Sequence, residues 1–314
     1  MLLIHRYDIC IPPQQGSHMM MLLCSLSLFA EDFPSFDAPP PIVNGEETGR
    51  FIQTGAIMFS SEAYGNDVFC SGTLVHEKWV LTAAHCIDAL DQYAQYGADI
   101  YFVLGTDLYT QEGIDQYDTI TFWQSHPDYS ANRGLQHDIG VLELENGFPD
   151  VDPIAMNSQT PDWYDQEIIY VGWGITDDNR SDSGKKRMAS ISFYDYDEQF
   201  VYSLDQTGVQ NLCNGDSGGS AFRIQSDGTY TLVGVNSFVY GVYQNAACDG
   251  GGSGAARVDS NLEWIRGYIP EPESLSFVIA EQPKLMGCST VQSPSGALSF
   301  VGLMLGLVGV RRRQ

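Results

Sequence analysis

The chain of 314 residues is 43% hydrophobic and 12% aromatic, enough to bury a sizeable core. This excludes disorder as its general state and leaves room for one large domain or two modest ones. Fifteen Lys and Arg stand against forty Asp and Glu, a formal charge of −25, and no basic stripe runs through the body of the chain. A general nucleic-acid binder, which must neutralise phosphates with clustered cations, is excluded on that ground, while the acidity favours solubility and steers cationic partners inward.

The first patterned element is residues 19–29, MMMLLCSLSLF, an apolar run of secretory h-region length, after which polarity returns at Ala30, Glu31 and Asp32. It predicts a signal region over residues 1–30 with cleavage after Ala30. Arg6 lies far upstream, so a start at Met19, Met20 or Met21 is a companion reading, and a short buried N-terminal helix is the alternative. Between residues 42 and 269 the chain is a series of short apolar or alternating runs punctuated by Gly, Asn, Asp and Pro: 51–59, 79–82, 100–104, 139–144, 168–173, 189–193, 220–224 and 230–238. That rhythm predicts an all-β sandwich or barrel. One helix is predicted over 259–268, where Leu262, Ile265 and Ile269 recur at helical spacing. There is no internal repeat, and glycines 250–254 are the one low-complexity block.

Residues 270–287, rich in Pro and Glu at their start, read as a linker. Beyond them come Gly287-Cys288-Ser289, the apolar run ALSFVGLMLGLVGV at 297–310, and Arg311, Arg312 and Arg313. The run is shorter than the roughly 17–25 residues of a stable span, and the arginines form a positive-inside stop. This order resembles the Cys-containing C-terminal sorting tails of myxobacteria and related bacteria. The resemblance covers residues 288–314 and implies removal of the tail near Cys288, a sorting protease as partner and membrane attachment only through this tail. A plain tail anchor is the alternative.

Of the seven cysteines, Cys10 and Cys24 lie in or before the signal region and Cys288 in the tail, which leaves Cys70, Cys86, Cys213 and Cys248. An even four in an exported domain predicts two disulfides, with three pairings open by counting alone, and no CxxC spacing points to zinc.

Three segments carry chemistry. Gly215-Asp216-Ser217-Gly218-Gly219 sets a small nucleophile in a glycine turn whose backbone N–H groups are free to face a developing oxyanion. Leu81-Thr82-Ala83-Ala84-His85-Cys86 places a histidine at the end of an apolar strand, and His137-Asp138-Ile139 opens another apolar strand with an acid. A carboxylate entering a buried strand needs a partner, and a buried imidazole supplies one.

Together with Ile42-Val43-Asn44-Gly45, these segments resemble the trypsin and chymotrypsin family of serine endopeptidases, over residues 42–269. Cys70-Ser71-Gly72-Thr73-Leu74, His126-Pro127-Asp128-Tyr129, Gly172-Trp173-Gly174 and Trp264-Ile265 add to the match, and the chain order His, Asp, Ser is the family's. The resemblance implies two six-stranded antiparallel β-barrels with a C-terminal helix. It implies Ser217 as nucleophile, His85 as general base and acid, Asp138 as the carboxylate orienting His85, and the N–H groups of Gly215 and Ser217 as the oxyanion hole. Ser237 would support Asp138, and the disulfides would be Cys70 with Cys86 and Cys213 with Cys248.

The primary pocket would have Asn211 at its floor, Leu212 and Phe238 on its walls with Ser237, and Ser253 or Gly254 at its narrow point. A neutral amide at Asn211 does not pair a buried Arg or Lys, so a neutral or apolar P1 residue is expected. The resemblance further implies activation by pairing of a freed Ile42 ammonium with Asp216. Pro39-Pro40-Pro41 precede Ile42 in place of a basic residue, so a propeptide over 31–41 is expected to be removed by another protease or by exopeptidase trimming. The family's calcium loop would fall at residues 105–118, where Glu112 and Asp115 suit the ion and Thr106 does not; a solvated acidic loop with no cofactor is the reading preferred. Lys185-Lys186-Arg187 reads as a surface loop open to nicking. The resulting expectation is an exported, surface-anchored or released monomeric endopeptidase acting on proteins or peptides, with a catalytically silent binding module as its rival and a general esterase as a third reading.

Overall fold

The computed structural model describes residues 42–270 apart from 64, 178, 242–247 and 249. The signal region, residues 31–41, the linker and the tail lie outside the described residues. The strands are β1 Glu46–Glu47, β2 Thr54–Ser61, β3 Gly65–His76, β4 Trp79–Thr82, β5 Asp99–Gly105, β6 Ile114–Ser125, β7 Gly140–Leu144, β8 Ala155–Met156, β9 Glu167–Gly172, β10 Arg187–Tyr196, β11 Phe200–Leu204, β12 Ser220–Ile224, β13 Tyr230–Gly241 and β14 Gly251–Arg257. Two helices accompany them, α1 Ala84–Gln95 and α2 Val258–Ile265. Among the described residues no helix is long and apolar enough to cross a membrane.

Strands β2-β3-β4-β7-β6-β5 close into one antiparallel barrel, β5 pairing back onto β2. A second ring runs β9-β10-β11-β14-β13-β12 and returns to β9, with β1 added on β10 and β8 added in parallel on β13. The two closed six-stranded barrels bear out the expected fold class, and α2 is the expected closing helix. Closure removes the exposed edges that an open sheet of short strands would present. The predicted strand at 51–59 begins later, at Thr54, because Phe51 turns the chain at φ 53° and its carbonyl accepts from Thr54 N.

Each barrel fills itself with the inward residues of its strands. Ile57, Leu74, Leu81, Phe102, Val141 and Leu142 are fully buried in the first. Ile168, Tyr170, Val201, Ala221, Val233 and Ala255 are fully buried in the second, joined there by Ile42 and Trp163. The seam between the barrels is partly polar. Ser220 Oγ lies 2.6 Å from both Thr54 Oγ1 and Thr73 Oγ1, all three buried and mutually satisfied. Strand β14 reads GGSGAAR and is buried throughout because aromatic rings lie flat on it: a Cβ at Gly252 would stand 2.2 Å from the Tyr240 ring, and one at Gly254 2.3 Å from the Phe238 ring.

The Lys185-Lys186-Arg187 run is not a surface loop. Lys185 alone reaches solvent, pairing with Glu47 at 3.0 Å and Asp107 at 3.8 Å. Lys186 N donates to Thr106 O and Lys186 O accepts from Thr48 N, so the segment is pinned on both sides and carries the next side chains inward. Lys186 is 1% and Arg187 3% exposed. The Lys186 ammonium donates only to Phe51 O, at 3.4 Å, and lies 6.0 Å from the centre of the Trp173 ring; burial pulls its pKa from 10.5 down to about 8. A depressed lysine destabilises the fold wherever the unfolded chain holds the proton more tightly, fully below pH 8 and not at all above 10.5. Lys186→Met is therefore expected to stabilise the protein by about 1–3 kcal/mol at neutral pH. In denaturant titrations that gain should shrink as pH rises between 8 and 10.5.

Candidate active site

Strand β4 ends at Thr82 and α1 begins at Ala84, so His85 stands in the first turn of a helix and not on the strand itself. The Cys70–Cys86 disulfide fastens that turn to β3, and Cys213–Cys248 fastens the turn before Ser217, the pairings expected from the resemblance. Just before the neighbouring strand β7, Ile139 N donates to His137 O at 2.7 Å, and this tight turn precedes the strand with Asp138 buried. Asp138 has no solvent exposure. Its Oδ1 accepts from His85 N at 2.9 Å, and its Oδ2 accepts from His85 Nδ1 at 2.8 Å and from Ser237 Oγ at 2.5 Å. The bond to a carboxylate puts the ring proton on Nδ1 and leaves Nε2 as the basic nitrogen.

His85 and Ser217 line one cavity of about 310 Å³ with Leu212, Asn214, Ser237 and Phe238. Among the described residues no hydrogen bond joins His85 Nε2 to Ser217 Oγ; such bonds are often long before substrate arrives. The turn around Ser217 hangs from the first barrel. Ser71 N donates to Ser217 O at 2.7 Å, while Ser71 Oγ donates to Gly215 O at 2.9 Å and accepts from Trp173 N at 3.1 Å. Gly215 and Gly218 have φ of 92° and 79°, and a Cβ on Gly218 would stand 2.2 Å from Thr82 Oγ1, so only glycine fits. Among the described residues the N–H groups of Gly215 and Ser217 donate to no protein acceptor, which leaves both for a ligand.

Of the residues expected to shape the primary pocket, Leu212, Ser237 and Phe238 line the cavity. Asn211, Ser253 and Gly254 are buried behind it, Asn211 1% and Ser253 0% exposed. Ser253 Oγ donates to Asn211 Oδ1 at 2.5 Å, while the Phe238 ring covers Gly254. The cavity also takes Leu135, Asn214, Asn236 and Val239, which sequence reasoning missed. For Val239 the missing signal was register: it pairs with Ser253 only once β13 and β14 are aligned.

Ile42 is fully buried in the second barrel's core, and Asn211 N donates to Val43 O. Asp216 is 1% exposed and accepts from Cys213 N at 2.9 Å and Gly174 N at 2.8 Å. Burial pushes its carboxyl up to about 6 against the pull of those N–H groups and of the Arg187 charge.

Neither cluster of metal-ligating types suits an ion. Cys70 and Cys86 beside His85 are joined as a disulfide. His126 and His137, near Asp128, stack with rings 4.2 Å apart and 8° from parallel, so their in-plane lone pairs do not meet at one point. In the loop expected to hold calcium, Glu112 and Asp115 belong to no such cluster among the described residues, and Lys185 brings an ammonium to Asp107.

Two antiparallel barrels that set a serine, a histidine and a buried aspartate at their seam define a class of β protein. A profile of the family described as Trypsin matches residues 42–265, and the chain belongs to that family. It is 27% identical over 280 residues to chymotrypsin-like elastase family member 1 of Bos taurus, covering 80% of this chain and 98% of that protein. It is 27% identical over 261 residues to serine protease Hayan of Drosophila melanogaster, covering 73% and 39%. It is 29% identical over 232 residues to inactive CLIP domain-containing serine protease A28 of Anopheles gambiae, covering 66% and 58%.

Ser71 is the hub that sequence reasoning left as a mere motif residue. Ser71→Ala strands the buried Trp173 N–H and Gly215 carbonyl, and is expected to cost about 1–3 kcal/mol in chemical denaturation. Unchanged stability would mean that the turn does not hang from this hydroxyl.

Proposed function

We propose that the chain is an exported serine endopeptidase that hydrolyses peptide bonds of proteins or peptides through Ser217, His85 and Asp138. The observation that carries the reading is the Asp138 carboxylate bound to His85 Nδ1, in a cavity that His85 shares with Ser217. His85 Nε2 takes the Ser217 proton as Oγ attacks the scissile carbonyl, and the oxyanion is received by the N–H groups of Gly215 and Ser217. The imidazolium, stabilised by Asp138, then protonates the leaving amine, and water releases the acyl group by the same steps in reverse. No cofactor enters this chemistry. Asp138→Asn is expected to lower turnover by about 10⁴-fold by reversing the ring's tautomer.

The chain is read as a zymogen in which removal of residues 31–41 by an activating protease frees the Ile42 ammonium to pair with Asp216. Residues 1–30 serve export, and residues 288–314 serve sorting or anchoring at the cell surface through a sorting protease; the domain acts as a monomer. The inactive Anopheles gambiae relative supports a second reading, a silent homologue used as a binding module. A fluorophosphonate probe separates the two. Labelling of protein beginning at Ile42, absent in Ser217→Ala, is expected for the enzyme, whereas folded protein that takes no label is the silent module.

The neutral floor of the pocket, Asn211 capped by Ser253, offers no carboxylate to a basic side chain, and Leu212, Phe238 and Val239 make its walls apolar. Cleavage of a P1-diverse peptide library is expected to favour neutral, apolar P1 residues; a dominant preference for Arg or Lys would overturn this assignment.

A further inference from the structure

Arg187 turns its guanidinium into the protein at the start of β10. Its Nη1 donates to Gly174 O at 2.8 Å and to Asp182 O at 3.0 Å, and its Nε is buried without a hydrogen-bond partner. The peptide groups it holds are the ones that touch the oxyanion turn. Gly174 N donates to Asp216 Oδ1, and Ile175 N donates to Asn214 O at 2.9 Å. The contact is close: a Cβ at Gly174 would stand 2.5 Å from Asn214 O and 2.6 Å from Asp216 N. Gly174-Ile175 is thus a strap with the guanidinium on one side and both flanks of Gly215 on the other.

The Arg187 charge acts on the same carboxylate as the strap, after the N–H groups of Cys213 and Gly174 in size. Ile42, joined to Pro41 by a peptide bond, has no ammonium to offer, and among the described residues no cationic nitrogen stands within salt-bridge distance of Asp216. Arg187 is the one cation among them whose charge acts on that carboxylate. The acidic groups near Arg187 are Asp182, Asp216, Glu47 and the Tyr109 phenol. Of these, Asp182 gives its carboxylate oxygens to Thr176 N and Oγ1 at 3.0 and 2.8 Å, and Glu47 is taken by Lys185. The apolar half of the arrangement is also in place before any cut. Ile42 is buried against Trp163, Ile168 and Leu212 at φ 42°, a strained value for a β-branched residue.

We infer that Arg187 is a positioning residue that holds Asp216 and the oxyanion turn in their working arrangement before Ile42 is freed, so that the untrimmed chain has basal activity. This rests on the protease reading and deepens it: trimming then raises an activity already present.

The test compares rates of fluorophosphonate labelling for chains that begin at Glu31 or at Ile42 and run to Gln314, with melting temperatures measured alongside. Wild type beginning at Glu31 is expected to label, slowly. Arg187→Gln and Arg187→Met, the second free of an orphaned amide, are expected to slow that form by about 30-fold and the Ile42 form by less than about threefold, because the ammonium then supplies the cation. Arg187→Lys, which keeps the charge, is expected to stay within about threefold of wild type in both forms. Equal losses in the two forms would mark Arg187 as merely structural and overturn the inference. If the neutral variants do not fold, Arg187→Lys decides, and a loss of about 30-fold or more in the Glu31 form counts against it. A silent Glu31 form beside a labelled Ile42 form leaves the protease reading standing and overturns the inference, whereas silence of both wild-type forms overturns both.

Discussion

A carboxylate without solvent exposure sits where the two barrels meet, and much of the molecule is arranged to satisfy it. Asp138 enters in the turn just before β7 of the first barrel and accepts from the backbone and ring of His85 at the start of α1 and from Ser237 on β13 of the second. An ionised group so deep costs several kcal/mol unless donors surround it, and here they come from both halves. The seam is therefore determined in register: displacing one barrel along the other would leave the charge without Ser237. The same seam carries the buried Thr54, Thr73 and Ser220 hydroxyls and the Ser71 contacts to the nucleophile's turn.

Another buried carboxylate, Asp216, has only backbone donors among the described residues. That difference separates a constraint built into the fold from one left open to regulation. Asp138 is satisfied as soon as the barrels dock, while Asp216 takes two N–H groups and the field of Arg187. In a chain of formal charge −25, with fifteen Lys and Arg, it is telling that three of those cations, Lys186, Arg187 and Arg257, are buried. Arg187 stands beside the oxyanion turn with its Nη1 hydrogen-bonded, Lys186 near Trp173 has one long hydrogen bond among the described residues, and burial lowers the pKa of both.

Legibility followed side-chain size. Strands rich in bulky apolar residues, such as β4, β7, β9 and β12, stand out along the chain because burial of their inward faces imposes a pattern. Strand β14 does not, since its glycines exist to receive the Phe238 and Tyr240 rings and leave no periodicity behind. Strand β6 has only Asp118 and Ile120 buried, and α1, starting at Ala84, has no side-chain cap at Ala83, so neither announces itself. Lys186 and Arg187 misled for a related reason: charged residues are placed outside by default, and only the backbone bonds to Thr106 and Thr48 turn them in.

The residues of the site were evident from short motifs, because a nucleophile in a glycine turn, an imidazole and a strand-leading acid are local demands of the chemistry written into consecutive positions. By itself the sequence determined the β architecture and the four cysteines available for two disulfides, and it singled out Ser217, His85 and Asp138 as candidate residues. Tertiary structure alone decided what depends on register and close approach across the chain. Ser253 meets Asn211, Val239 enters the wall of the cavity, Ser71 carries the turn, and Arg187 reaches Asp216 through Gly174. Each of these joins residues distant in sequence through distances of a few ångströms, which no local pattern encodes.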